Sequence, residues 1–303
     1  MKEKLRVWSY IIRAIIAIAI IVFFIKWFNL GNALSSLAKI NPWFIVLSLF
    51  TVFVINIAKM FRFYYLARDL NINLGLKETI LAHLVAPIVG RATPAKLGEG
   101  VKIYFLKKDP KKLGFTFIME KLADIITILI IAFFAIYAFG SYYNAYVTLT
   151  FLLVLIVVVL FNIEKVLNFV FRKNILEDQW FRNLLYEISP RQWICFGAYS
   201  TIIRFLIMSV PYIMATALGI PTSMWMLFQL YAISLIIGNL SGLPGGIGSR
   251  ELTFSFLLLH YAMLSKETAG ILALLVVATD LITEGLLALT GIIWYGIEKR
   301  SSS

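Results

Sequence analysis

Charge is scarce in this chain, and acid is scarcer than base. Of 303 residues only 15% are Asp, Glu, Lys or Arg, and 16 acidic side chains stand against 28 basic ones. A soluble domain carries about 25% charge, so an ordinary water-facing surface is excluded. There is one cysteine, Cys195. It cannot form an intramolecular disulfide, so nothing depends on an oxidising compartment, and it reads as a packing residue. The two histidines, His83 and His260, lie in separate apolar segments with no HExxH spacing and no cysteine partner. No metal site follows from them. The GxxxxGK[ST] phosphate loop and the GxSxG nucleophile elbow are absent too, and no cofactor is expected.

What the chain has is grease. It is 61% hydrophobic with a mean hydropathy of +0.88, which predicts an all-α integral membrane protein. A net charge of +12 could suggest nucleic acid. The basic residues, however, lie between and beside apolar runs, where they meet anionic headgroups and set orientation; nucleic acid is not expected as a partner. Lys2, Lys4 and Arg6 precede a first apolar run with no small-residue cleavage site, the pattern of a retained signal-anchor helix.

Runs long enough to cross about 30 Å of hydrocarbon lie near 8–28, 42–66, 114–139, 145–162, 192–218 and 268–296. Two further apolar regions, 78–106 and 222–264, are broken by APIVGRATPAKLGEG and GNLSGLPGGIGSRE. The expectation is one polytopic domain over 1–303, with six full spans and two broken or re-entrant helical hairpins. Lys and Arg concentrate at the N-terminus, 62–77, 107–112, 164–191 and 298–300. The positive-inside rule makes that side cytoplasmic, with both termini on it, in the cell membrane. The mixed apolar and basic stretch 163–187 suits a cytoplasmic interfacial helix.

The two breaks resemble each other. PAKLG at 94–98 and PGGIG at 244–248 both fit Pxx[LI]G ahead of an acidic and apolar helix. Downstream of each comes an acidic pair at i, i+4: Glu120 with Asp124, then Asp280 with Glu284. Residues four apart share a helix face. Halves of about 42–139 and 192–296, with hairpins inserted from opposite sides, outline an inverted repeat with a site near mid-membrane. Asp124 lies roughly 15 Å along its helix and Asp280 roughly 18 Å along its own. A charge at that depth costs about 2.5 to 3.5 kcal/mol, so both acids must face inward. Lys121, beside Glu120 and one helical turn from Asp124, and Arg204, inside the fifth span, are the candidate counter-ions. One reading makes these ion pairs that fix packing; the other makes them the wall of a polar cavity.

Proline and glycine free backbone N–H groups, and those opening the next helix bind anions. Candidate substrate-binding residues at the first break are Arg91 and Lys96, which would hold phosphate, with Pro94 and Gly98. At the second they are Asn239, Pro244, Gly245, Gly246, Gly248, Ser249 and Arg250. Glu99 and Glu251 would hold the basic residues or meet a cationic group. The plainer alternative is a tight hairpin whose glycines only permit close packing.

Three stretches resemble the flippase-like membrane domain family of lysylphosphatidylglycerol synthases, in the family's order. They are TPAKLGEGVKIYFL at 93–106, MEKLADIITI at 119–128 and GLPGGIGSRE at 242–251. Lys121 stands where arginine is common, and Asp280 near where a basic residue is common. The resemblance spans about 5–297 and implies a stand-alone form without the synthase domain. It also implies movement of lipids between leaflets, related proteins being tied to aminoacylated phospholipids or polyprenyl-linked sugars. The expected partners are membrane lipids, anionic or phosphate-bearing, with a lipid or glycan synthase as a further candidate. The alternatives are a membrane transferase acting on a lipid-linked substrate, with Glu251 or Asp124 as base, and a non-transporting partner of a lipid synthase.

Overall fold

The computed structural model describes residues 40–93, 96–139 and 179–301, together with Lys26. The expected first and fourth spans, Pro94 and residues 163–178 of the interfacial stretch lie outside the described residues, apart from Lys26. In chain order the helices are α1 (Pro42–Asp69), α2 (Leu76–Arg91), a 3-10 turn (Leu97–Gly100), α3 (Val101–Leu106), α4 (Pro110–Phe139), α5 (Gln179–Glu187), α6 (Pro190–Ala217), α7 (Met224–Leu240), α8 (Ser249–Tyr261) and α9 (Lys266–Ser301). No strand occurs among the described residues.

Local sequence sets the ends of these helices. The Asn41 side chain accepts the Trp43 N–H at 3.0 Å, and Pro42 follows at the first helical position, where its missing donor costs nothing. Ser189 and Gln192 form a capping box at the start of α6, again with proline next. α1, α6 and α9 are each long and apolar enough to cross a membrane. Only 22% of the most apolar window of α1 is buried within the protein, which leaves much of its surface facing outward. Trp43, Ile202, Leu286 and Ile292 are all exposed. Cys195 is exposed on α6 as well, which corrects the expectation of a packing role.

α1 packs chiefly on α6, α9 on α2, α7 on α4, and α8 lies against both α7 and α9. Met208, Phe228, Phe254 and Leu272 centre one apolar cluster; Phe63, Leu70, Leu113 and Phe115 centre the other. Lipid tails are as apolar as leucine, so these contacts hold by close packing rather than by escape from water.

Both interrupted regions form short helices. α2 has 16 residues, α7 has 17 and α8 has 13, giving about 24, 26 and 20 Å of helix. The two breaks are not alike downstream. α8 continues for thirteen residues, whereas the first break continues as one 3-10 turn and the six-residue α3. Two glycines within four residues, Gly98 and Gly100, disfavour a helix there. Lys107, with φ 46°, ends α3 shortly before Asp109, whose carboxylate accepts the Lys111 N–H as α4 begins.

Candidate functional site

The two breaks touch. Gly245 donates its N–H to the Thr93 carbonyl oxygen at 3.0 Å, and the Thr93 hydroxyl accepts the Gly98 N–H at 2.6 Å. Gly245 has φ +58°, and a Cβ there would stand 3.0 Å from the Arg91 carbonyl oxygen. Gly246, at φ +69°, leaves no room either: its Cβ would lie 2.8 Å from the Gly238 oxygen. Gly98 abuts the Val89 carbonyl in the same manner. These glycines bring backbone against backbone.

The expected anion donors are engaged inside the protein. Besides Gly245, Gly246 donates to Leu243 and Ile247 to Pro244, both at 3.0 Å, and Gly248 donates to the Glu251 carboxylate. This corrects the expectation that these glycine N–H groups point at a phosphate. Successive tight turns consume each donor locally. The Ser249 hydroxyl lies 2.9 Å from that of Ser241. Glu251 is buried and also accepts from its neighbour Arg250 at 2.9 Å, so it caps and pairs instead of facing the cavity.

Each acidic pair is bridged by one buried arginine. Arg91 makes a two-point contact with Glu284, one arm at 3.0 Å, and lies 3.1 Å from Asp280. Arg62 lies 3.0 Å from Asp124 and 3.6 Å from Glu120. The second bridge was not anticipated. Sequence position puts Arg62 in the cytoplasmic flank, yet it is 2% exposed, because the helical turn places it on the inward face of α1. Lys121 also departs from expectation. It pairs with Glu99, since adjacent residues on a helix do not face each other. Glu120 is taken instead by Lys102, whose ammonium lies 3.4 Å from His83 Nε2. Arg204 meets Asp124 at 3.4 Å and donates to its carbonyl oxygen at 2.9 Å. Arg250 reaches toward Asp280 at 3.5 Å, and Lys96 lies 3.9 Å from Glu284.

These networks wall a cavity of about 260 Å³. Of the expected site residues, Lys96, Glu99, Lys121, Asp124, Arg204, Asn239, Gly245, Arg250, Asp280 and Glu284 line it. Arg91 and Glu120 stand behind that wall as partners of lining residues. Gly98, Pro244, Gly246, Gly248, Ser249 and Glu251 shape the breaks without lining it, and Pro94 is not among the described residues. Asn56, Lys59 and Tyr231 line the cavity although sequence did not single them out. A signal was present for two of them: Asn56 and Lys59 interrupt an otherwise apolar run at helical spacing. Apolar side chains complete the wall, among them Val52, Ile55, Ile128 and Leu235.

Among the described residues no group of three or more His, Cys, Asp or Glu side chains is placed to hold a metal ion. No curated protein matches the sequence. The family model described as "Lysylphosphatidylglycerol synthase TM region" does match it, over residues 10–288. A membrane chain whose buried charges converge on two joined helix breaks thus belongs, over most of its length, to the lysylphosphatidylglycerol synthase transmembrane-region family.

Proposed function

We propose that the protein is a transporter that moves a phosphate-bearing lipid, a phospholipid or a polyprenyl-phosphate-linked lipid, between leaflets. The headgroup occupies the cavity while the tails stay in the bilayer. One observation carries this reading: a cavity inside a membrane protein that Lys96, Arg204 and Arg250 line together with Asp124 and Asp280, beside an apolar wall. An ion-pair network that merely fixed packing would close on itself; here its charges border open space. An ionisable side chain in a membrane segment is a functional candidate by default.

In this reading the chain has six full spans and two re-entrant hairpins in an inverted repeat, sits in the cell membrane and keeps both termini in the cytoplasm. The matched bridging of the two acidic pairs by Arg62 and Arg91 supports the repeat. A lipid or glycan synthase would supply or consume the cargo.

The test is leaflet exchange of fluorescent lipids in liposomes holding the purified protein. Exchange above that of protein-free liposomes is expected for at least one phosphate-bearing lipid. Unchanged exchange across a headgroup series overturns the proposal.

A further inference from the structure

Charge around the cavity does not balance, and the excess is localised. On the side of the breaks, Arg91, Lys96 and Arg250 are matched by Glu251, Asp280 and Glu284. Lys121 is matched by Glu99. On the other side Arg204 and Asp124 line the cavity, and with Arg62 and Lys102 behind them three cations share only Glu120 and Asp124. His83 adds no charge. Its Nδ1 lies 3.0 Å from the Thr79 carbonyl oxygen and so carries the hydrogen, leaving Nε2 to accept from Lys102.

Lys59 is the remaining cation. It lines the cavity from α1, and among the described residues no carboxylate stands within ion-pair distance of it. Val52, Ile55, Asn56 and Lys59 all line the cavity, at the i, i+3, i+4, i+7 spacing of one helix face. Counting the lining side chains together with their ion-pair partners, the described residues therefore carry two formal positive charges in excess, one on Lys59 and one shared among Arg62, Lys102 and Arg204. Hydrogen-bond donors are in excess as well. Arg250, which lines the cavity, leaves its Nη2 buried without a hydrogen bond. A cation without an ion-pair partner and an unmet donor are both costly in a membrane, and one kind of guest relieves both: an anion rich in acceptor oxygens.

We propose that Lys59 is the seat of the anion in this cavity, and that the anion is a doubly charged phosphate group, a phosphate monoester or a diphosphate. This rests on the reading of the cavity as a headgroup site, and it moves the phosphate from the glycine-rich break to the α1 wall. A zwitterionic or cationic headgroup leaves the excess in place, and a phosphodiester relieves half of it. The Lys59 ammonium would take the phosphate oxygens inside the cavity, the lipid chain remaining in the bilayer.

The experiment is binding to the purified full chain in detergent, read by intrinsic fluorescence and thermal shift. The probes are a long-chain alkyl monophosphate, the alkyl diphosphate, phosphatidylglycerol and phosphatidylcholine. Monophosphate or diphosphate is expected to bind about tenfold or more tightly than phosphatidylglycerol, the scale of one charge-assisted contact. Phosphatidylcholine is expected to bind more weakly still. Lys59→Gln should remove most of that preference and Lys59→Arg should retain it. Equal or tighter binding of phosphatidylglycerol overturns the proposal on the unaltered protein, whatever the variants do. Inorganic phosphate and diphosphate separate the sources of the anion. Displacement of the alkyl phosphate at equal concentration assigns a soluble occupant to the same seat, and failure to displace assigns the lipid. Selective binding without leaflet exchange sinks transport and keeps this site; exchange of phosphatidylglycerol without selectivity does the reverse.

Discussion

Gly245 donates its backbone N–H to the Thr93 carbonyl oxygen at 3.0 Å, so the two helix breaks, far apart in sequence, are held directly to each other. With the breaks joined, Arg91 and Arg250 both reach the same carboxylate oxygen of Asp280. It requires a residue without a side chain, since Gly245 combines a positive φ with the Arg91 backbone 3.0 Å from where a Cβ would be.

Gly245→Ala is therefore expected to destabilise the protein by about 1 to 3 kcal/mol, combining left-handed strain with overpacking. Gly219 is the control. It has φ +67°, but a Cβ added there would meet nothing within 4 Å, so Gly219→Ala should cost only the conformational part, about 1 to 2 kcal/mol. Denaturation of both variants in one detergent gives the comparison, and a larger loss at Gly219 would contradict it.

Arg62 and Asp124 are expected to behave as a coupled pair. Removing Asp124 leaves the buried Arg62 short of a carboxylate, at a cost of about 3 to 5 kcal/mol; removing Arg62 should cost less, because the Asp124 side chain is 21% exposed and keeps Arg204. The double variant Arg62→Met with Asp124→Asn should cost less than the two singles together by about 1 kcal/mol or more. A double-mutant cycle measures this, and additivity would mean that the 3.0 Å contact carries no coupling.

Arg91→Lys is not conservative here. Lysine offers a point charge where Arg91 makes a two-point contact with Glu284 and also reaches Asp280. The expected loss is about 1.5 to 3 kcal/mol, one hydrogen bond to a charged group, in denaturation midpoints compared at constant m. Stability equal to that of the unaltered chain would show the second arm to be dispensable.

Lys96→Gln should separate function from folding. Lys96 lines the cavity, its side chain is 23% exposed, and its nearest carboxylate is at 3.9 Å. A contact that long contributes about 0 to 1 kcal/mol, so the melting temperature should scarcely move. Leaflet exchange should slow about tenfold, the effect of losing one charge-assisted headgroup contact. Unchanged exchange would remove Lys96 from the path.

Several features were legible in the chain alone. The acidic pairs Glu120/Asp124 and Asp280/Glu284 had to face inward because a charge at mid-membrane is too costly to leave in lipid, and both are held by arginines. The breaks were legible because proline and glycine interrupt helices. Partner choice was not. Arg62 looked like a flanking charge and Lys121 like a partner of its neighbour, because sequence distance says nothing about which faces of α1, α2 and α4 pack together. Lys59 escaped notice for the same reason: one lysine in an apolar helix acquires meaning only when the wall around it turns out to offer it no carboxylate within ion-pair distance among the described residues.

Sequence by itself determined that this is a helical membrane protein of its family, with two helix breaks and buried charge, since composition and breaker residues act locally. Only the tertiary structure decided that the breaks bond to each other, that the glycine N–H groups are consumed within them, and that Lys59 of α1 faces the cavity without an ion-pair partner among the described residues. Backbone hydrogen bonds and ion pairs between distant segments depend on which helix faces meet, and packing alone settles that.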